Sequence, residues 1–113
     1  MKMRYRNYDC EIAFGMYGNG NIAMQLLGAK GTQYQGDLIT TATVNLHPVS
    51  SDTVGIKNWS ENQGMSTALM QANVVEPEML YSSPTGFVEV EYYKLTEEAQ
   101  GELEKQKEEQ ING

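Results

Sequence analysis

One run of alternating residues, followed at once by a glycine–asparagine turn, most constrains how this chain can fold. Between Tyr8 and Tyr17, apolar side chains alternate with polar or small ones, a period of two that is typical of a half-buried strand. Residues 18–21 read Gly-Asn-Gly-Asn and tolerate a positive φ at low cost, which predicts a tight hairpin leading into a second strand over 21–27. The alternating apolar positions are Cys10, Ile12, Phe14 and Met16.

The middle of the chain predicts one more long strand and a helix. Residues 37–46 are rich in β-branched side chains, which favour a strand, and Pro48 ends it because proline cannot donate to a ladder. A short strand is expected at 54–57. A helix is predicted within 60–73, where Met65, Ala68, Leu69 and Ala72 recur at helical spacing. A capping box, either Ser60 with Gln63 or Asn58 with Glu61, is expected to begin it, and Asn73 to end it.

The last third predicts an irregular connection, a strand and a final helix. Residues 76–85 contain Pro77 and Pro84 and indicate a loop, and residues 87–95 alternate as a strand. On that strand, Glu89 and Glu91 are expected on one solvated face. Thr96 is expected to cap a C-terminal helix, whose only apolar stripe is Leu95, Ala99 and Leu103.

The order of these elements predicts an α+β fold with mainly antiparallel pairing. We expect one twisted sheet, formed by the hairpin, the third strand and the last strand, with the middle helix across one face. Residues 1–95 are interpreted as a single α+β domain and residues 96–113 as an acidic C-terminal helix or tail. The charged end of this C-terminal helix or tail, residues 104–113, contains few apolar residues and is expected to fray.

The composition excludes several classes of function. The 113 residues carry a net charge of −7, which divides into +2 for residues 1–36 and −9 for the rest. Such a chain repels phosphate backbones, so direct nucleic-acid binding is not expected. No window is apolar enough to span a membrane, and no secretion signal is visible. The single cysteine excludes an intrachain disulfide and indicates a reducing compartment; with one histidine, no metal site or cofactor is expected.

Two apparent motifs do not carry chemistry. Gly18-x-Gly20-x-x-Ala23 is similar to a dinucleotide-binding fingerprint, but the glycines at 28 and 31 would interrupt the helix it requires, so the hairpin is favoured. Cys10 is the only cysteine and His47 the only histidine, so they are the only thiol and imidazole that could form a catalytic nucleophile–base pair. They are interpreted instead as a core residue and a strand-end residue. No enzyme is therefore predicted.

The most distinctive segment lies just ahead of the predicted helix. It gathers the only tryptophan with charged and polar neighbours, as an interaction surface requires, although the same residues are compatible with an aromatic side chain that closes the core edge. The candidate binding residues are Lys57, Asn58, Trp59, Ser60, Glu61, Asn62 and Gly64.

Four blocks of the chain, which together span about residues 10–95, carry a resemblance to a known family. They read YGNGNIAMQLL (17–27), TATVNL (41–46), IKNWSENQGM (56–65) and TGFVEV (85–90). The chain resembles a family of small domain-of-unknown-function proteins that are encoded by plasmids, conjugative elements and bacteriophages. The resemblance implies a genomic setting, and hence the cytoplasm of a bacterial host, but no mechanism.

Together these observations predict a non-enzymatic accessory binding protein of a phage or mobile element. Its partner is expected to be a host or element-encoded protein, by analogy one that belongs to a host defence system. The alternative is a homo-oligomer that binds or sequesters a small nucleotide signal, with backbone amides of the glycine-rich loops at 18–20 and 28–36 presented to phosphate.

Overall fold

The structure is a computed structural model that describes the backbone of residues 1–112 and the side chains of residues 1–109. Within that range the chain has an α+β fold whose paired strands are all antiparallel, which confirms the predicted fold class. The elements are β1 (Lys2–Tyr5), β2 (Tyr8–Met16), β3 (Ile22–Gly28), β4 (Leu38–Thr41), β5 (Thr53–Ile56), a 3₁₀ helix (Ser60–Asn62), α1 (Met65–Gln71), β6 (Tyr81–Thr85), β7 (Val88–Lys94) and α2 (Glu97–Asn112).

The strands form two sheets, so the prediction of a single sheet is wrong. The first sheet has the order β1-β2-β3-β4 and the second β5-β7-β6. The predicted strand 37–46 explains the difference, because only its first part, β4, pairs with β3. The change of partner begins at Ala42, whose amide donates to the Met24 carbonyl of β3 at 2.9 Å while its carbonyl accepts the Lys57 amide at 2.9 Å. The Val44 amide then donates to the Gly55 carbonyl of β5 at 3.0 Å. An extended segment that changes partner in this way links the two sheets.

The hairpin between β2 and β3 is confirmed. The Gly20 amide donates to the Tyr17 carbonyl at 2.9 Å, and the Tyr17 amide to the Asn21 carbonyl at 2.8 Å. Gly20 has a φ of +87°, the left-handed conformation that glycine adopts without steric cost. Because the residues after the turn form a strand, the dinucleotide-binding alternative is excluded. The predicted inward positions Cys10, Ile12 and Phe14 are buried, whereas Met16 at the strand end is exposed.

The helix α1 lies within the predicted span and ends as predicted. Asn73 has a φ of +59°, its amide donates to the Met70 carbonyl at 3.0 Å, and the Val74 amide donates to the Leu69 carbonyl at 2.9 Å. These two bonds form a Schellman motif, which satisfies carbonyls at the helix end. The predicted capping boxes are wrong, because the chain makes a separate 3₁₀ turn first and Gly64 then precedes the helix without a side-chain cap.

The predicted irregular connection is wrong over its second half, which forms β6. This strand pairs with β7 from Tyr81 opposite Tyr92 to Thr85 opposite Val88. Pro84 is tolerated because β6 lies at the edge of its sheet, where an outward-facing backbone position needs no donor. Phe87, predicted to begin the last strand, instead lies in the turn and is fully exposed.

The helix α2 packs against the first sheet. The Thr96 hydroxyl accepts the Ala99 amide at 3.1 Å, so the predicted N-cap is confirmed. Gln106 continues the ladder of β2 past the end of β1: its side chain accepts the Phe14 amide and donates to the Ile12 carbonyl, both at 2.8 Å. The predicted stripe Leu95, Ala99 and Leu103 is buried. Helical backbone continues to Asn112, and Gly113 of the predicted tail lies outside the described residues.

A single cluster of buried side chains takes members from both sheets and both helices. The face of β7 that carries Glu91 and Tyr93 turns toward this cluster. The side chains of Val90 and Tyr92 lie on the opposite face and are buried outside this cluster. A second candidate surface lies on that opposite face.

Candidate functional site

The predicted binding segment forms a loop that we call the Trp59 loop, residues 57–64. Two of its residues adopt the left-handed conformation, Ser60 with a φ of +55° and Gly64 with a φ of +82°. From the first sheet, the Tyr5 hydroxyl donates to the carbonyls of Glu61 at 3.0 Å and Gln63 at 2.9 Å. Since backbone groups of the loop are bonded to a buried side chain, the loop has a defined shape.

Two of the candidate residues point inward and hold the loop. Asn62 is fully buried; its side chain donates to the Thr41 carbonyl at 2.8 Å and accepts the Thr40 hydroxyl at 2.5 Å. Asn58 accepts the Ser66 amide at 2.7 Å and donates to the Ser66 hydroxyl at 2.7 Å. Its side chain therefore satisfies a backbone amide in the first turn of α1, although Asn58 lies outside the helix. Both side chains are therefore occupied within the protein in this conformation.

Three other candidates form the outer side of the loop. Lys57 Nζ lies 2.8 and 3.0 Å from the Glu61 carboxylate oxygens and 6.0 Å from the centre of the Trp59 ring. The hydrogen bond from Lys57 lowers the pKa of Glu61, whose carboxylate is exposed to solvent. Trp59 is half-buried, and the remaining candidates, Ser60 and Gly64, are exposed. The loop thus presents one aromatic ring beside an ordered pair of opposite charges.

Glu91 connects the Trp59 loop to the second sheet. Its Oε1 accepts Asn58 Nδ2 at 3.1 Å, the Ser66 hydroxyl at 3.2 Å and the Tyr93 hydroxyl at 2.8 Å. Burial and the bond to Glu91 raise the pKa of Tyr93. The prediction that Glu89 and Glu91 share one solvated face is therefore wrong for Glu91, which is half-buried and bonded while Glu89 is exposed.

A second surface, which sequence reasoning missed, is built on the outer face of the second sheet. The rings of Tyr81 and Tyr92 stack with centroids 4.5 Å apart and an interplanar angle of 16°. The His47 ring lies 5.3 Å from Tyr92 and 6.3 Å from Tyr81. Gly55 provides the room, because a Cβ atom there would lie 2.8 Å from the Tyr92 ring. The chain neighbours of these rings, Leu46, Met79 and Leu80, are exposed, and we call Leu46, His47, Met79, Leu80 and Tyr81 the tyrosine patch.

The segment that carries His47 is fastened by one side chain of the β2–β3 hairpin. Asn21 Nδ2 donates to Asn45 Oδ1 and to the His47 carbonyl, both at 2.7 Å. Asn21 Oδ1 accepts the Val49 amide at 3.0 Å. These three bonds fasten residues 45–49 to the β2–β3 hairpin and thereby restrict the position of the His47 ring.

The separation of its members in the chain explains why the tyrosine patch was missed. His47 was interpreted as a strand-end residue and Tyr81 as part of an irregular connection. The sequence contains one signal for this pairing. Residues 81–85 and 88–92 are two runs of equal length on either side of Gly86-Phe87, and the glycine has a φ of +62°. Such a pair of short runs around a glycine-containing turn indicates a hairpin, which would place Tyr81 opposite Tyr92.

The cysteine and the histidine are placed for structural roles. Cys10 is fully buried, and burial raises the pKa of its thiol, which opposes formation of a reactive thiolate. His47 Nε2 instead lies 3.4 Å from the Tyr81 hydroxyl. Over residues 1–112, no group of three or more histidine, cysteine, aspartate or glutamate side chains is arranged to hold a metal ion. None of the described helices is both long and apolar enough to cross a bilayer.

The glycine-rich loop at 28–36 is built in a way that disfavours phosphate. The Lys30 amide donates to Glu11 Oε2 at 3.3 Å and the Gly31 amide to Gln35 Oε1 at 2.9 Å, so these amides are already bonded. The adjoining groove of about 520 Å³ is lined by Glu11, Glu102 and Glu109, whose charge repels an anion.

No protein-family model, no curated protein and no solved structure matches this chain. The site is therefore interpreted from its geometry alone.

Proposed function

We propose that this chain is a non-enzymatic accessory protein of a phage or mobile element, which acts by occupying a host or element-encoded protein in the bacterial cytoplasm. By analogy, the favoured partner is a component of a host antiviral or restriction system. The observation that carries the proposal is the Trp59 loop, whose backbone carbonyls accept hydrogen bonds from the buried Tyr5 while Glu61 is exposed and Lys57 and Trp59 are half-buried beside it.

A loop with a defined shape is suited to binding because little conformational entropy is lost when the partner arrives. Asn58 and Asn62 restrict the loop by five hydrogen bonds to residues elsewhere in the chain. Tryptophan supplies a large contact area and is enriched among residues that dominate binding energy. The adjacent Lys57–Glu61 pair orients the partner and selects among partners more than it raises the affinity, because exposed ion pairs contribute little binding free energy.

The charge of the molecule supports a basic partner. A net charge of −7 on 113 residues attracts cationic surfaces and speeds their association at low salt. A protein whose own function is to bind nucleic acid has such a surface, and an acidic protein that covered it would block that function.

The test compares capture by three immobilised proteins: wild type, Trp59→Ala and Phe87→Ala. Phe87 is the control because it is a fully exposed aromatic residue outside the loop. Lysate of the bacterial host is passed over each, recovered proteins are identified, and the purified partner is titrated by calorimetry. We expect Trp59→Ala to weaken binding by about tenfold or more and Phe87→Ala to leave it within about twofold.

Thermal melting of each variant separates lost contact from lost folding, because Trp59 is half-buried. Equal affinity of wild type and a folded Trp59→Ala variant would contradict the assignment of this loop. Turnover of a defined compound by the purified chain would contradict the non-enzymatic proposal as a whole.

A further inference from the structure

We infer that the tyrosine patch is a second docking surface, and that its occupant is a polypeptide segment of a partner protein in which arginine or lysine stands next to apolar residues. The patch shares no residue with the Trp59 loop, so either surface can be tested while the other is intact.

The first argument is the concentration of exposed apolar side chains. Eight large hydrophobic residues of the described chain are exposed, and Leu46, Met79, Leu80 and Tyr81 account for four of them. Their exposed fractions run from 42% to 51%. Residues 79–81 are consecutive, and Leu46 is joined to them through His47, which contacts Tyr81. Single exposed apolar residues are ordinary, but several exposed apolar residues beside one ring pair in the chain indicate an interaction surface.

The second argument is the ring stack beneath the patch. Tyr92 is 2% exposed and holds the Tyr81 ring from one side, while Tyr81 itself is 42% exposed. An aromatic ring fixed in this way is a ready partner for a cation. Among the described residues, cations lie over the rings of Tyr5 and Trp59, from Arg6 at 5.5 Å and from Lys57 at 6.0 Å.

The third argument is charge. The two segments that form the patch and its surroundings, 46–52 and 76–81, contain Asp52, Glu76 and Glu78 and no lysine or arginine. The Lys94 ammonium lies 4.0 Å from the Asp52 carboxylate and offsets part of this charge. Acidic residues that adjoin an apolar, aromatic centre in the chain favour a segment that is both cationic and apolar. A second copy of this acidic chain or a nucleic acid would meet repulsion instead.

The test uses two fluorescein-labelled synthetic dodecapeptides. Every third residue is arginine in the first peptide and glutamate in the second, and the positions between are leucine, proline and serine in both. Each is titrated into the ¹⁵N-labelled protein, and affinities are measured by fluorescence anisotropy. We expect the arginine peptide to bind and the glutamate peptide not to bind up to about 1 mM. Amide shifts should be confined to residues 45–49 and 76–83.

Matched variants locate the binding. Tyr81→Ala should weaken binding about fivefold, Tyr81→Phe should retain it, and Tyr8→Ala should leave it within about twofold. Tyr8 is the control because it is a tyrosine with an exposed fraction of 43%, nearly that of Tyr81. If Tyr81→Ala fails to fold, Leu80→Ser at a more exposed position tests the same surface.

Charge variants separate this surface from general attraction to an acidic protein. The double change Glu76→Gln with Glu78→Gln should weaken the arginine peptide about threefold. Glu104→Gln with Glu108→Gln on α2, which removes the same charge, should weaken it by less than about 1.5-fold.

Equal loss from both charge pairs, shifts centred on α2 or on the Trp59 loop, or equal binding of the two peptides would overturn the inference, as would no binding by either peptide. None of these outcomes bears on the Trp59 variant, so failure of this surface and failure of the proposed function remain distinguishable.

Discussion

Gly28→Ala is the substitution that the structure identifies as most disruptive. A Cβ atom built at Gly28 would lie 1.8 Å from the carbonyl oxygen of Tyr34 and 2.6 Å from its carbonyl carbon. Backbone atoms cannot rotate away as a side chain can, so the 28–36 loop would have to move by more than 1 Å to restore van der Waals contact, a separation of about 3–4 Å. Gly28 is not in a left-handed conformation, and close approach alone requires glycine there.

The magnitude follows from the bonds that close this loop. The Gly28 amide donates to the Asp37 carbonyl at 2.8 Å, the Gly36 amide to the Gly28 carbonyl at 2.9 Å, and the Asp37 amide to the Tyr34 carbonyl at 3.0 Å. At about 1 kcal/mol each, their loss lowers the free energy of unfolding by about 3 kcal/mol. For a domain of this size that corresponds to a fall in Tm of about 12 °C or more.

The assay is urea and thermal denaturation monitored by circular dichroism. Gly101→Ala is the control, because that glycine lies within α2 and an added Cβ atom would meet nothing within 4 Å. Replacing a helical glycine by alanine should stabilise the protein by about 0.5–1 kcal/mol. A Tm for Gly28→Ala within about 3 °C of wild type would refute the reasoning that a backbone contact fixes this loop.

Two further changes test polar groups, the buried Tyr92 hydroxyl and the half-buried Glu102 carboxylate. Tyr92→Phe removes a buried hydroxyl that has no hydrogen-bond partner among the described residues, so it should raise the free energy of unfolding by about 1 kcal/mol in urea titrations; a loss of stability would contradict this. The hydrogen bond from the amine of Met1 lowers the pKa of Glu102 below its ordinary value of 4.5, so its stabilising effect is complete above that value and is lost as pH falls through the lowered pKa. Glu102→Gln should therefore flatten the decline in Tm between about pH 5 and pH 3, whereas Glu104→Gln should keep the wild-type slope.

The features predicted correctly are those fixed by neighbours in the chain. Alternation places Cys10, Ile12 and Phe14 inside, the Gly-Asn repeat makes the hairpin, and Asn73 adopts the left-handed conformation that ends α1. Each depends on a handful of consecutive residues whose conformational preferences agree with the final fold. For that reason the α+β class could be predicted without knowledge of the tertiary structure.

The errors in the predicted fold concern which strands pair and which strand lies at a sheet edge. Nothing in residues 37–46 indicates that Ala42 and Val44 turn from β3 to β5. Pro84 argues against a strand unless that strand lies at an edge, and only the arrangement of the whole sheet decides which strands are edges. The change of partner within residues 37–46 is fixed by packing of the complete chain and has no local signal, whereas the glycine-containing turn at 86–87 was a local signal for the β6–β7 hairpin.

The sequence singles out the Trp59 loop as a candidate site but does not predict the direction of its side chains. The segment 57–64 was identified by its composition, yet the inward turn of Asn62 depends on Thr40 and Thr41, about twenty residues earlier. The role of Glu91 depends in the same way on Asn58 and Ser66. Hydrogen-bond partners that arrive from another strand cannot be read from the spacing of residues within a loop.

The two proposed surfaces depend on one strand. Glu91 and Tyr92 are neighbours on β7, and successive side chains of a strand point to opposite faces. Glu91 supports the Trp59 loop through Asn58 on the inner face, while Tyr92 supports Tyr81 on the outer face. A change that shifts the register of β7 by one residue would exchange these positions and disable both surfaces together. Substitutions outside β7, at the exposed Tyr81 and the half-buried Trp59, are therefore the ones that separate the two proposals, since they leave the shared strand unchanged.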